Sequence, residues 1–134
     1  MQIVVIDGQG GGIGRLLVAA IKTACPGHAL LAVGTNSQAT AAMLKAGADK
    51  GATGENAVLA ACRKADFIIG PVGIVIADSL MGEISPAMAT AIGQCDARKL
   101  LIPVNLCNNL IIGARDMGMQ DMVRETVAEL CKLV

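Results

Sequence analysis

Met1-Gln2-Ile3-Val4-Val5-Ile6-Asp7-Gly8-Gln9-Gly10-Gly11-Gly12-Ile13-Gly14 is the stretch that decides the fold. Its first half is a continuous apolar run, the pattern of a strand buried on both faces of a parallel sheet. The run passes directly into five glycines, after which Ile13, Leu16, Leu17, Ala20, Ile21 and Ala24 repeat at helical spacing. Glycine lets the backbone turn tightly and brings bare N–H groups close to a neighbour. The helix behind the loop turns its positive end toward the same place. Strand, glycine loop and helix together predict a site for a phosphate or pyrophosphate, with Gly8, Gln9, Gly10, Gly11, Gly12, Ile13 and Gly14 around it.

The spacing narrows the reading. G-x-G-x-x-G fails, because the third position is Ile13 counted from Gly8 and Arg15 counted from Gly10. G-x-x-x-G-x-G fits as Gly8, Gly12 and Gly14, and it resembles the cofactor loop of short-chain dehydrogenases. That resemblance implies NAD or NADP as the cofactor. A bare strand-to-helix turn is the competing account. No Gly-Lys-Ser/Thr follows, so the spacing is not that of a P-loop.

The rest of the chain alternates in the same way. Cys25-Pro26-Gly27 stops the first helix, and residues 29–33 read as the second strand. A helix over residues 38–46, with Ser37 as its cap, ends at Gly47. Residues 48–53 read as a short strand, 55–64 as a helix with Thr53 as a capping residue, and 66–70 as a buried strand. Residues 72–84 are apolar and glycine-punctuated, with Asp78 and Glu83 their only carboxylates. Ser85-Pro86 opens a helix. Residues 99–104 are a further strand, 110–112 a last short one, and 120–133 an amphipathic helix. Alternating strands and helices predict one α/β domain over residues 1–134, Rossmann-like and doubly wound, with a mostly parallel sheet and helices on both faces. Ligands of such sheets sit at the carboxyl ends of the strands. Thr35, Asn36, Gly54 and Asn105 should therefore join the glycine loop. Asp78 and Glu83 are the acid–base candidates there, and Asp7 is expected to accept N–H bonds that fix the loop.

Composition limits the partners. Apolar residues make up 54% and charged residues 16%, an excess that predicts a homo-oligomer. Net charge is zero with no basic run, which argues against nucleic acid. No stretch has the length and purity of a membrane span, and no basic leader precedes the first strand, so a cytoplasmic protein is expected. The cysteines, at 25, 62, 95, 107 and 131, are scattered and never in C-x-x-C spacing. That spacing argues against a disulfide framework or a zinc site, and most are expected as buried hydrophobes. Cys107 stands apart, in a polar loop.

Over nearly its full length the chain resembles a small bacterial family catalogued as domain of unknown function 3842. The likeness rests on the segment from Val4 to Gly14, on Val33-Gly34-Thr35-Asn36, on residues 47–57 and 70–80, and on Ile102-Pro103-Val104-Asn105. It implies a complete domain and no activity. Two functional expectations stand. One is a nicotinamide-dependent oxidoreductase, although the second strand ends in Gly34-Thr35-Asn36 rather than an acidic residue, and a chain without Tyr lacks the Tyr/Lys pair of short-chain dehydrogenases. The other is a non-catalytic oligomeric module that senses a nucleotide or phosphorylated metabolite.

Overall fold

The computed structural model describes residues 1–104 and 107–134; Asn105, expected at the site, lies outside them. The elements follow in the order β1 (Gln2–Asp7), α1 (Gly12–Ala24), β2 (Ala29–Gly34), α2 (Ser37–Lys45), β3 (Lys50–Thr53), α3 (Glu55–Cys62), β4 (Phe67–Pro71), a 3₁₀ turn (Val72–Val75), α4 (Pro86–Gln94), β5 (Arg98–Ile102) and α5 (Met119–Leu133). The strands form one sheet in the order β3-β2-β1-β4-β5, with all four pairings parallel.

The apolar run of β1 explains its central place. Ile3, Val4, Val5 and Ile6 are fully buried, and alternate residues serve opposite cores. Ile3 and Val5 pack with Leu17, Val18, Ile21, Met43 and Val127 under α1, α2 and α5. Val4 and Ile6 pack with Val58, Ile68, Ile74, Met88 and Ile92 under α3 and α4. Each such side chain contributes about 1.5–3 kcal/mol by leaving water. The buried stripe of α1 is rotated from the expected one: Val18 is inside and Ala24 outside. On α5, Val123, Val127 and Leu130 are buried, while Met119 is exposed.

Several local expectations are corrected. Asn36, one residue before Ser37, caps α2, its Oδ1 accepting from Ala39 N–H at 2.9 Å. Gly54, with φ +100°, precedes α3 in place of Thr53, whose hydroxyl instead meets that of Thr40 at 2.8 Å. Residues 110–112 form no strand; Leu110 and Ile112 are exposed. Cys25 and Cys131 are joined in a disulfide, against the expectation from spacing. Spacing rules see only neighbours, and this pair, 106 residues apart, meets because α1 and α5 pack side by side. Ser85 and Pro86 open α4 as expected, Ser85 Oγ accepting from Met88 N–H.

Candidate functional site

The carboxyl ends of β1, β2 and β4 converge on the glycine loop. Asp7, the last residue of β1, is buried and clamps both ends of the loop: Oδ1 accepts Gly8 N–H at 2.8 Å and Oδ2 accepts Gly14 N–H at 2.7 Å. Burial pushes its carboxyl above the ordinary value. The Gly14 and Gly8 bonds pull the other way, and the charge of Glu83 adds to the rise. The loop-fixing role expected of Asp7 is thus the one the geometry gives it.

Glu83 reaches the same loop from the segment after β4. Its Oε1 accepts Gln9 N–H at 2.7 Å, the Thr35 hydroxyl at 2.5 Å and Asn36 Nδ2 at 3.0 Å. Burial raises this carboxyl, but the bonds from Gln9, Thr35 and Asn36 outweigh it and hold the group below its ordinary value. Asn36 Nδ2 also donates to Gln9 O at 2.9 Å. One amide therefore caps α2 with its oxygen and ties two loops with its nitrogen. Thr35 N–H donates to Asp7 O at 3.0 Å, completing the join between the ends of β1 and β2.

The segment that delivers Glu83 carries left-handed backbone at Asp78 (φ 65°), Leu80 (φ 53°) and Met81 (φ 56°), then Gly82 (φ 87°). Each such non-glycine residue costs of order 1–3 kcal/mol and persists only where its surroundings hold it. Here Asp78 N–H donates to Ile84 O at 2.7 Å, the buried Ser79 hydroxyl donates to Gly73 O, and Leu80 is buried. Asp78 itself is exposed and engages this turn through its backbone. Of the two acid–base candidates, Glu83 hydrogen-bonds the loop; among the described residues no hydrogen bond or ion pair joins Asp78 to it. Cys107 comes to the same edge, its Sγ accepting Leu80 N–H at 3.3 Å. Gly54 N–H donates to Gly34 O at 2.9 Å, so Gly54 extends the β2–β3 pairing rather than meeting the glycine loop.

The glycines divide into two groups. A Cβ on Gly8 would meet Glu83 Oε1 and Thr35 Oγ1 at 2.7 Å, and one on Gly14 would meet Met43 Sδ at 2.6 Å and Asp7 Cβ at 2.9 Å. Gly11 sits at φ +72° with Ala39 backbone 3.0 Å from where its Cβ would be. These three are explained by the protein's own neighbours. Gly10 and Gly12 are not. A Cβ on either meets nothing within 4 Å, and neither has left-handed φ. Among the described residues, the N–H groups of Gly10, Gly12 and Ile13 meet no protein acceptor, whereas Gly8, Gln9, Gly11 and Gly14 donate within the fold. Of the loop N–H groups expected around an anion, those of Gly8, Gln9 and Gly14 are taken by the Asp7 and Glu83 carboxylates and that of Gly11 by Gly8 O, so these four are already committed within the fold. The role of Glu83 at the loop was not legible in the sequence, since 74 residues separate it from Gln9.

No helix among the described residues is long and apolar enough to cross a membrane. A family model described as a domain of unknown function (DUF3842) matches residues 2–134, and the chain belongs to that family. No curated protein matches the chain. Among solved structures, it is similar to a dodecameric FMN-dependent UbiX-like decarboxylase from Escherichia coli O157:H7, with 15% identity, 99% of this chain and 93% of that chain covered, and a TM-score of 0.48.

Proposed function

We propose that this member of the DUF3842 family binds a nucleotide or similarly phosphorylated small molecule at the carboxyl edge of its sheet. The observation that carries the reading is the open space before Gly10 and Gly12. Glycine is entropically costly where neither φ nor packing calls for it, so an outside group that must approach the backbone closely supplies the physical reason. A phosphate there receives the N–H groups of Gly10, Gly12 and Ile13 at the positive end of α1.

Glu83 refines the ligand. The end of β2 lacks the acidic residue that holds ribose hydroxyls in dinucleotide-binding folds. Glu83 brings a carboxylate to that place from the far side of the crevice, lying on Thr35 and Asn36. Its Oε1 is committed to the protein, and Oε2 has no protein donor among the described residues. A ribose diol donating to Oε2 fits this arrangement; a ribose 2′-phosphate is repelled by it. NAD or another nucleotide with a free diol is therefore favoured over NADP. The second reading, binding without catalysis, is favoured by the same bonds, since Asp7 and Glu83 both spend their charge on the loop rather than on a substrate proton.

Thermal melts of the pure protein against NAD, NADP, FMN, ATP and AMP test the proposal. A ligand at one hundred times its Kd adds about 2.7 kcal/mol of stability. Gly12→Val should fold normally, because its side chain enters open space, and should lose that stabilisation. A Gly12→Val protein that is stabilised as strongly as the wild type removes the reading. The exposed Leu110, Ile112 and Met81 fit a homo-oligomer. Light scattering that gives the 13.6 kDa monomer at micromolar concentration rejects that part.

A further inference from the structure

All helices run back against the parallel strands, so their C-terminal ends gather at the amino edge of the sheet, opposite the glycine loop. Four of the five cysteines lie there, two on each face. On the face of α1 and α5, Cys25 and Cys131 are joined. On the other face, Cys62 ends α3 and Cys95 follows the last turn of α4. These two are free thiols. They line one open groove of about 400 Å³ with Arg63, Gln94 and Asp96.

Both thiols face this groove between the packed helices α3 and α4, and Cys95 Sγ donates to Ile92 O at 3.2 Å. They are unequal in exposure: Cys62 is buried and Cys95 partly open to the groove. Burial, with Cys95 as its neighbour, pushes the Cys62 thiol up to about 11. Lys99 closes the amino edge beside them, its Nζ donating to Cys95 O at 2.6 Å.

We propose that Cys62 and Cys95 form a peroxide-reactive dithiol that closes to a second disulfide, joining α3 to α4 as Cys25–Cys131 joins α1 to α5. Cys95, the accessible partner, reacts first. Its thiolate attacks a peroxide oxygen; the S–O bond forms, the O–O bond breaks, and hydroxide leaves with the proton that Cys95 gave up, as water. Cys62 sulfur then attacks the sulfenic sulfur of Cys95. The S–S bond forms, the S–O bond breaks, and the second hydroxide leaves as water with the Cys62 proton. Two thiols are oxidised by two electrons in all, and one peroxide is reduced to two waters. Burial of Cys62 keeps it from competing for the oxidant and reserves it for the second step.

The test uses the full chain carrying Cys107→Ser, which removes the exposed thiol outside the pair. The protein is treated with hydrogen peroxide, denatured without reductant, alkylated with N-ethylmaleimide and mapped by mass spectrometry. Alkylatable thiols should fall from two to none. The peptides of Cys62 and Cys95 should appear as one linked species, and dithiothreitol should restore both. In the same background, Cys62→Ser should leave a sulfenic acid on Cys95 that dimedone traps. If Cys62→Ser fails to fold, dimedone competition during oxidation of the parent protein should label Cys95 and lower the linked species. Two thiols that remain alkylatable, cysteines oxidised singly to sulfinic acid in the parent, a link to any other cysteine, or dimedone on Cys62 alone each overturns the proposal.

Discussion

Carboxylates accept backbone N–H groups at both edges of the sheet, and the two edges use that bond differently. At the amino edge, Asp66 accepts Gln2 N–H at 2.8 Å, and Asp49 accepts Leu30 N–H at 2.9 Å while pairing with Lys22 at 2.8 Å. These groups face water. Lys22 first, then the Leu30 N–H, hold the Asp49 carboxyl below its ordinary value. Such exposed bonds position strand starts and cost little in desolvation. At the carboxyl edge, Asp7 is buried and its charge is opposed by burial. Glu83 arrives on a left-handed segment that is itself costly. One edge is an inexpensive fastening with a disulfide across it. The other spends stability on a loop geometry held by buried and left-handed groups.

The largest way to break that contrast is at the fastening. In the chain-entropy account, a bridge closing a loop of about 100 residues is worth about 4.7 kcal/mol. The double variant Cys25→Ser with Cys131→Ser should lose most of that, read as a drop in the urea midpoint with an altered m-value. An unchanged midpoint would show that packing of α1 on α5 alone holds this face.

Next is Asp7→Ala, which leaves Gly8 and Gly14 N–H groups without their acceptor in a dry place. A loss of about 2–4 kcal/mol is expected in thermal or chemical unfolding, from two charge-assisted bonds less the relief of a buried charge. Asp66→Ala, removing an outwardly similar bond in water, should cost under about 1 kcal/mol. Equal losses in the two variants would erase the distinction between the edges.

The smallest effect is in titration, and its sign differs between the two site carboxylates. Asp7 sits above its ordinary value of 3.8, so its charge opposes folding at neutral pH, and this cost is relieved as pH falls through the raised value. Glu83 sits below its ordinary value of 4.5, so its contribution is complete above 4.5 and lost as pH falls through the lowered value. Carboxyl carbon NMR should find the Asp7 midpoint above 3.8 and that of Glu83 below 4.5. Glu83→Asn should abolish neither fold nor loop but should raise the mobility of Gln9 and Thr35 in backbone relaxation.

Local rules carried a long way. The run from Ile3 to Ile6 is buried because every side chain in it is apolar, and a strand so built must be central. Glycines after it, a helical repeat from Ile13, and Ser85-Pro86 before α4 are signals within a few residues of their effect. The parallel direction of the strands followed from alternation. Asp7 was legible too, because the loop it clamps begins at the next residue.

What the tertiary structure alone decided lies at long separation. Glu83 reads in sequence as a loop carboxylate, and only the crossing from β4 back over β1 sets it on Gln9, Thr35 and Asn36. Cys25 finds Cys131 because α5 returns to the face of α1. Which glycines serve the fold and which leave space depends on where Glu83, Met43 and Ala39 stand. Sequence periodicity specifies which face a residue turns inward; it carries no term for which distant residue waits on that face, and the site of this protein is made of such meetings.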